Sequence, residues 1–200
     1  MNLKLYLIAS KAQKSEDVFL NTIEQAIKGG VSIVQLREKN IKTKAFYELG
    51  LKVKKICEIY EIKFIINDRL DLALALNADG IHLGQDDLPI NIARNILGQN
   101  KIIGLSVKNI SQLKNAFNVD YLGCGAIFES FTKNSSIIGL DTLKDLSSNT
   151  HLPIVAIGGI NTKNVKLLKD IKLAGIAISD AIMNADDPFK AALLLNKYFQ

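Results

Sequence analysis

Residues 3–17 read Leu3-Lys4-Leu5-Tyr6-Leu7-Ile8-Ala9-Ser10-Lys11-Ala12-Gln13-Lys14-Ser15-Glu16-Asp17. An apolar strand over Leu3 to Ile8 runs through a polar loop into a helix start, marked by Ser15 ahead of Glu16 and Asp17. An open doubly wound sheet wants a glycine-rich phosphate turn after its first strand. Ser10-Lys11-Ala12-Gln13 follows instead, which turns the choice toward a closed barrel.

The same alternation continues down the chain. Further strands read at Ser32 to Leu36, Lys63 to Ile66, Gly80 to Leu83, Lys101 to Leu105, Asp120 to Cys124, Ile154 to Ile157 and Gly175 to Ile178. Helical segments lie between them, one opening at Asn161 ahead of a Val165, Leu168 apolar stripe and another at Asp187 with Pro188 in the first helical position. Dividing 200 residues over eight strand-helix units leaves about 25 for each, which suits an α/β fold of the (β/α)8 TIM barrel type. One domain is expected over residues 1–200, with the chemistry on the loops that follow the strands. The stretch Gly125 to Gly139 is longer than most loops in a compact domain and reads as a lid or ligand clamp.

Composition narrows the function. With 48% apolar and 22% charged residues the chain builds a core without staples, and no apolar run reaches the length of a membrane helix or a signal-peptide core. A soluble, cytoplasmic protein is expected. Cys57 and Cys124 offer neither a disulfide framework nor a metal pair and read as reduced, buried small side chains. The net charge of +5 comes from lysines scattered over helices, without stacking aromatics between them, so small anionic ligands are expected in place of nucleic acid or a membrane. Lys52, Lys54 and Lys55 belong to the solvated face of an amphipathic helix.

Several strand ends carry chemistry. Gln35, Arg37 and Lys39 are spaced by two, so an extended chain would aim all three from one face into the barrel mouth as an anion site; pairing with Glu38 or solvent is the plainer alternative. Asn67-Asp68 ends the third strand, and Gly84-Gln85-Asp86-Asp87 follows the fourth. Asp68 and Asp87 can reach one shared ion from adjacent strands, as hard oxygen ligands of Mg²⁺, or each can serve as a cap. Two like charges at 4 Å repel by about 4 kcal/mol at an effective dielectric of 20, so carboxylates beside a polyphosphate need a cation between them. Ser106 after the fifth strand, Ser130, Thr132 and Lys133 in the long loop, Gly158-Gly159 after the seventh strand and Ser179-Asp180 after the eighth complete a rim suited to phosphate. His82 reads as packed and hydrogen-bonded, and His151 as exposed loop; two histidines so placed assemble no catalytic triad or zinc cluster.

Taken in order, Val34-Gln35-Leu36-Arg37-Glu38-Lys39, Ile66-Asn67-Asp68-Arg69, Ala78 to Asp87, Gly104-Leu105-Ser106, Phe131-Thr132-Lys133 and Ala156-Ile157-Gly158-Gly159-Ile160 resemble the thiamine phosphate synthase (thiamine-phosphate pyrophosphorylase) family over essentially the whole chain. The resemblance implies a transferase of thiamine biosynthesis. It would join 4-amino-2-methyl-5-hydroxymethylpyrimidine diphosphate to 4-methyl-5-(2-hydroxyethyl)thiazole phosphate, release pyrophosphate, use Mg²⁺ and proceed by dissociative substitution. By position it implies Gln35, Arg37, Lys39 and Asn67 on the pyrimidine diphosphate, Asp68 and Asp87 on Mg²⁺, and Ser106 and Lys133 on the departing pyrophosphate. Ser130, Thr132, Gly159, Ser179 and Asp180 would hold the thiazole phosphate. Arg37, Lys39, Ser106 and Lys133 are then the groups acting in catalysis, and a homo-oligomer is left open.

The chain departs from the family pattern at three places. Lys108 stands where a histidine is common, Ala126 and Glu129 where prolines are usual, and Asp180 where a small hydroxyl residue often helps bind phosphate. Two other readings stand beside the synthase. One is a thiazole tautomerase on the same barrel, which has a histidine after the sixth-strand glycine, where this chain has Gly125-Ala126, and lacks the paired aspartates. The other is a non-catalytic ligand-binding paralogue.

Overall fold

In a computed structural model of the chain, which describes residues 1–129 and 136–199, eight parallel strands close into a barrel in chain order. They are β1 (Leu5–Ala9), β2 (Ile33–Leu36), β3 (Lys63–Asn67), β4 (Gly80–Leu83), β5 (Ile102–Val107), β6 (Tyr121–Cys124), β7 (Ile154–Ile157) and β8 (Gly175–Ile178). Closure is made by β8 against β1, with Leu5 opposite Ile176 and Leu7 opposite Ile178. The expected architecture is therefore the observed one, and β4, β7 and β8 fall on the residues anticipated for them.

The helices outside are α1 (Glu16–Lys28), α2 (Thr43–Ile59), α3 (Leu70–Ala75), α4 (Ile90–Leu97), α5 (Gly139–Ser148), α6 (Asp180–Met183) and α7 (Pro188–Asn196). The Ser15 hydroxyl accepts from the Val18 N–H, Glu16 and Asp17 complement the exposed amides of the first turn, and Phe19, Ile23, Ala26 and Ile27 bury one face of α1. Full burial of a side chain such as Phe19 or Ile23 contributes about 1.5–3 kcal/mol. Asp187 Oδ1 accepts from the Lys190 N–H at 2.9 Å and Pro188 opens α7, as the sequence indicates.

Two crossovers are shorter than expected. After β5 the chain forms a 3-10 helix, Ile110–Asn115, and after β7 another, Val165–Leu168, where an amphipathic α-helix from Asn161 was anticipated. Asn161 begins a turn instead, its carbonyl accepting from the Val165 N–H at 3.0 Å. Val165 and Leu168 are three apart, the period at which 3-10 side chains eclipse, so one tight turn buries both.

Alternate strand residues fill two compartments. Those facing out, Leu7, Val34, Ile66, Ile81 and Leu105 among them, pack under the helices. Those facing in, Tyr6, Ile8, Ile33, Ile65, Tyr121, Val155 and Ala177, fill the lower barrel and make a solid floor beneath the mouth. Cys57 and Cys124 are buried and free, and burial pushes both thiols up to about 12. Lys52 pairs with Glu16 and Lys54 with Glu58 on the solvated face of α2. Among the described residues no helix is long and apolar enough to cross a membrane.

Arg94 is the buried cation of the opposite end, 4% exposed. Its guanidinium donates to the carbonyls of Gly98 at 3.1 Å, Lys101 at 2.6 Å and Asn118 at 3.0 Å and to Asp120 Oδ2 at 2.7 Å, tying together the turns that enter β5 and β6. Such a fork matches several acceptors at once in a way a lysine cannot. Two cavities, of 260 Å³ and 470 Å³, also lie at this end, the first lined by Lys54, Asp79 and Lys101, the second by Lys144, His151 and Lys172. His151 is exposed, as expected.

Candidate active site

The carboxyl ends of β2, β3, β4 and β5 are neighbours in the closed sheet, and the turns after them bring acidic and basic groups together. Asn67, the last residue of β3, pairs in register with His82 and so faces the barrel interior. Asp68 follows at φ 59°, in the left-handed region that Asp tolerates better than most residues. There its carboxylate accepts from the Lys39 ammonium. Asp87 Oδ2 accepts from the Gly84 N–H at 2.7 Å, closing the turn after β4, and the Asp87 carboxyl lies against that of Asp68. Neither aspartate caps the helix that follows it: α3 and α4 start from Arg69 and Pro89 without a side-chain cap, and Asp87 instead fastens the turn behind it.

The two carboxyls are driven apart in acidity. Burial favours the neutral form of Asp68, but the Lys39 ammonium and the hydrogen bond with Asp87 outweigh it and hold Asp68 below the ordinary carboxylate value. Burial and the adjacent Asp68 charge push Asp87 up, against the Gly84 N–H that favours its ionised form. This is the signature of a carboxylate pair lacking enough positive charge, and Lys39 is the only cation that directly bonds the pair among the described residues.

The expected alignment of Gln35, Arg37 and Lys39 on one face is corrected. β2 ends at Leu36, and although the Arg37 N–H still donates to the Ala9 carbonyl at 2.9 Å, the chain bends by Lys39. Gln35 is buried inside the barrel, where its Nε2 donates to the Tyr6 hydroxyl at 2.8 Å, whereas Lys39 reaches sideways along the rim to Asp68. Arg37 is half-buried. Glu38 pairs with neither cation; its carboxylate accepts from the Lys11 backbone N–H.

Ser106 sits on β5 with its side chain turned inward, and His82 Nε2 lies 3.0 Å from its hydroxyl. Its carbonyl accepts from Gln85 Nε2 at 2.7 Å, and Gln85 is held in turn by Asn115 at 2.8 Å. Asn109 caps the 3-10 helix that follows β5, its side chain accepting from the Gln112 N–H at 3.2 Å. Lys108 bonds through its backbone to Gln112.

On the other side of the mouth, the loop after β6 docks on the loop after β7: Ile127 N–H donates to the Ile157 carbonyl at 2.9 Å and Phe128 N–H to that of Gly158 at 3.0 Å. Gly159 sits at φ 65°, and a Cβ there would meet the Glu129 carbonyl at 2.2 Å, so the double glycine has a packing function whatever it binds. Ser179 precedes α6, its carbonyl accepting from the Met183 N–H at 2.8 Å. Asp180 does not cap the helix start: its Oδ1 accepts from Asn184 Nδ2 at 2.7 Å, one turn on, and Asn184 accepts from Lys14. Ser130, Thr132 and Lys133 lie outside the described residues. Reading the sequence did not single out Gln85, Tyr6 or Tyr121 for the site; the inward parity of the two tyrosines was the available signal.

The sequence model of the family described as thiamine monophosphate synthase matches residues 5–182. The chain is 53% identical over 197 residues to a thiamine-phosphate synthase of Campylobacter jejuni strain RM1221, covering 98% of this chain and 94% of that one. It is 43% identical over 203 residues to a thiamine-phosphate synthase of Methanobrevibacter smithii, covering 100% and 97%. Among solved structures it is similar to a thiamine phosphate pyrophosphorylase from Pyrococcus furiosus, with a TM-score of 0.88 and 36% identity over 98% of this chain and 95% of that one.

Proposed function

From the premise that this chain belongs to the thiamine monophosphate synthase family, we propose how its barrel mouth carries out the family's transferase reaction. The activity is synthesis of thiamine phosphate: a pyrimidine diphosphate loses pyrophosphate and gains a bond to the nitrogen of a thiazole phosphate. The observation that carries the reading is the Lys39–Asp68–Asp87 cluster beside Ser106, a site of opposed charges at the end of the barrel where such folds do chemistry.

Asp68 and Asp87 fit Mg²⁺. They present adjacent hard oxygen ligands whose mutual repulsion is incompletely relieved, and Lys39 fills the neutralising place. When bound, the ion supplies positive charge to the pyrophosphate oxygens. Lys39 then exchanges Asp68 for the substrate anion, joining Arg37 on the same side. Gln35 directs one N–H to Tyr6 and offers the rest of its amide to the pyrimidine, with Asn67 beside it at the end of β3.

The bond from the pyrimidine methylene to the pyrophosphate oxygen breaks first, its electron pair leaving with the oxygen. The methylene cation is captured by the thiazole nitrogen lone pair. No side chain has to remove a proton for the new bond to form, so the protein's work is to stabilise the leaving anion and to hold the second substrate in line while excluding water. Ser106 and Lys133 contact the departing pyrophosphate. Ser130, Thr132, Gly159, Ser179 and Asp180 form the thiazole phosphate subsite, in which the Asn184 bond restrains the Asp180 carboxylate. The protein acts on these small molecules in the cytoplasm.

Mixing both substrates with Mg²⁺ and following pyrophosphate release tests the reading. Release that depends on the thiazole phosphate is expected. Binding of either substrate without release would select the non-catalytic paralogue instead.

A further inference from the structure

A continuous line of hydrogen bonds crosses the barrel interior beneath the mouth. Gln35 Nε2 meets the Tyr6 hydroxyl at 2.8 Å, Tyr6 meets the Tyr121 hydroxyl at 2.8 Å, Tyr121 meets His82 Nδ1 at 2.9 Å, and His82 Nε2 meets Ser106 Oγ at 3.0 Å. The five residues come from β2, β1, β6, β4 and β5. We propose that Tyr6 and Tyr121 are positioning residues for Ser106, acting through His82: the chain fixes His82 with its hydrogen on Nε2 and turns the Ser106 hydroxyl hydrogen toward the departing pyrophosphate. This rests on the assignment of Ser106 to the pyrophosphate made above.

The direction follows from counting donors. An amide nitrogen donates and does not accept, so Tyr6 receives from Gln35. Tyr6 therefore has its one hydrogen to give to Tyr121, and Tyr121 its own to give to His82 Nδ1. The imidazole is then protonated at Nε2 and donates to Ser106 Oγ, which leaves the serine hydrogen for an acceptor in the mouth. In the reverse direction, or with the ring doubly protonated, Tyr121 donates to Tyr6 and the Tyr6 hydrogen faces only Gln35 Nε2. A buried donor without an acceptor costs about 1–3 kcal/mol, and Tyr6 is 1% exposed. Burial also pushes the pKa of both phenols above the ordinary value, so both keep their hydrogens at neutral pH.

The surrounding backbone is shaped for this chain. A Cβ on Gly104 would stand 2.2 Å from the Tyr121 ring and 2.5 Å from His82 Nδ1, and one on Gly123 would stand 2.9 Å from His82 Cε1. Side chains at those two strand positions would displace the pair of rings from each other. The rings of His82 and Tyr121 lie 5.5 Å apart, centroid to centroid, in the space the glycines leave.

The two histidines of the chain make a direct test practicable. Histidine-selective isotope labelling yields two imidazole spectra, and His151, exposed in a loop, serves as the reference. In the unmodified protein His82 is expected as the Nε2–H tautomer; an Nδ1–H ring overturns the proposal with no variant made. Tyr121→Phe keeps the ring and removes the hydroxyl. It is expected to shift His82 toward a mixture of tautomers and to lower kcat about tenfold, with the KM for the thiazole phosphate little changed. An unshifted tautomer in Tyr121→Phe overturns the proposal whatever the rate does, and a shifted tautomer with full kcat overturns the positioning role. Ser106→Ala separates the two layers: an undiminished kcat there removes the underlying assignment of Ser106, while the tautomer measurement still reports on the chain.

Discussion

The Lys39 ammonium closes on the Asp68 carboxylate across the rim from the turn after β2 to the end of β3, and Asp87 approaches the same carboxylate from β4. One lysine therefore balances two acidic groups, and the pair has room for further positive charge. Asp68→Ala and Asp87→Ala are each expected to lower turnover by about 10–100-fold and to raise the Mg²⁺ concentration needed for half-maximal pyrophosphate release. Undiminished activity of both variants in excess chelator would remove the metal from the mechanism.

Lys133→Ala is expected to reduce kcat more than it raises the KM for the thiazole phosphate, because a cation on the leaving anion acts mainly as charge develops. Steady-state kinetics with each substrate varied in turn decide it; equal losses in both constants would assign Lys133 to ground-state binding.

At the opposite side of the mouth, Asp180→Ser removes a negative charge that, among the described residues, Asn184 and, at one remove, Lys14 restrain. The KM for the thiazole phosphate is expected to fall about threefold, the size of effect one exposed charge exerts. A constant or rising KM places Asp180 outside that subsite.

Arg94→Ala leaves the carbonyls of Gly98, Lys101 and Asn118 and the Asp120 carboxylate without their shared donor. A loss of about 3–5 kcal/mol is expected, lowering Tm by roughly 10 °C in a protein of this size, with kcat per folded molecule unchanged. Arg94→Lys should recover only part of it. Thermal melts followed by circular dichroism and an activity assay below the transition separate the two effects.

Cys57 and Cys124 predict a loss of stability on the alkaline side. Both thiols are held at about 12 in the fold by burial, so between the ordinary thiol value near 8.5 and about 12 the unfolded chain sheds protons that the native one retains. Fewer protons on the unfolded side mean that stability falls as pH rises through this window. Tm measured from pH 8 to 11 should decline, less steeply in Cys124→Ala, and native thiols should react with a thiol reagent only after unfolding.

How far the sequence carried depends on whether a feature is local. Ser15, Asp187 and Pro188 act on amides within three residues, and they start α1 and α7 where they were expected to. The strand alternation likewise repeats in every unit, so the closed barrel was legible. Gln35 was harder: its parity with Arg37 and Lys39 holds only while β2 remains extended, and β2 stops at Leu36, which separates a buried amide from a rim cation. The Val165, Leu168 stripe fits both a helix and a single tight turn, and the short crossover decides between them. Tyr6 and Tyr121 meet across most of the chain's length, through a barrel closure that no local pattern reports.

That closure bears on how the molecule comes into being. Because β1 must wait for β8, and α1 for α7, a nascent chain leaving the ribosome exposes an unzipped sheet with two open edges until its last quarter is made. Partly synthesised molecules are thus the adhesive ones, and cells making this protein quickly should accumulate aggregates of truncated translation products before they accumulate any of the finished barrel.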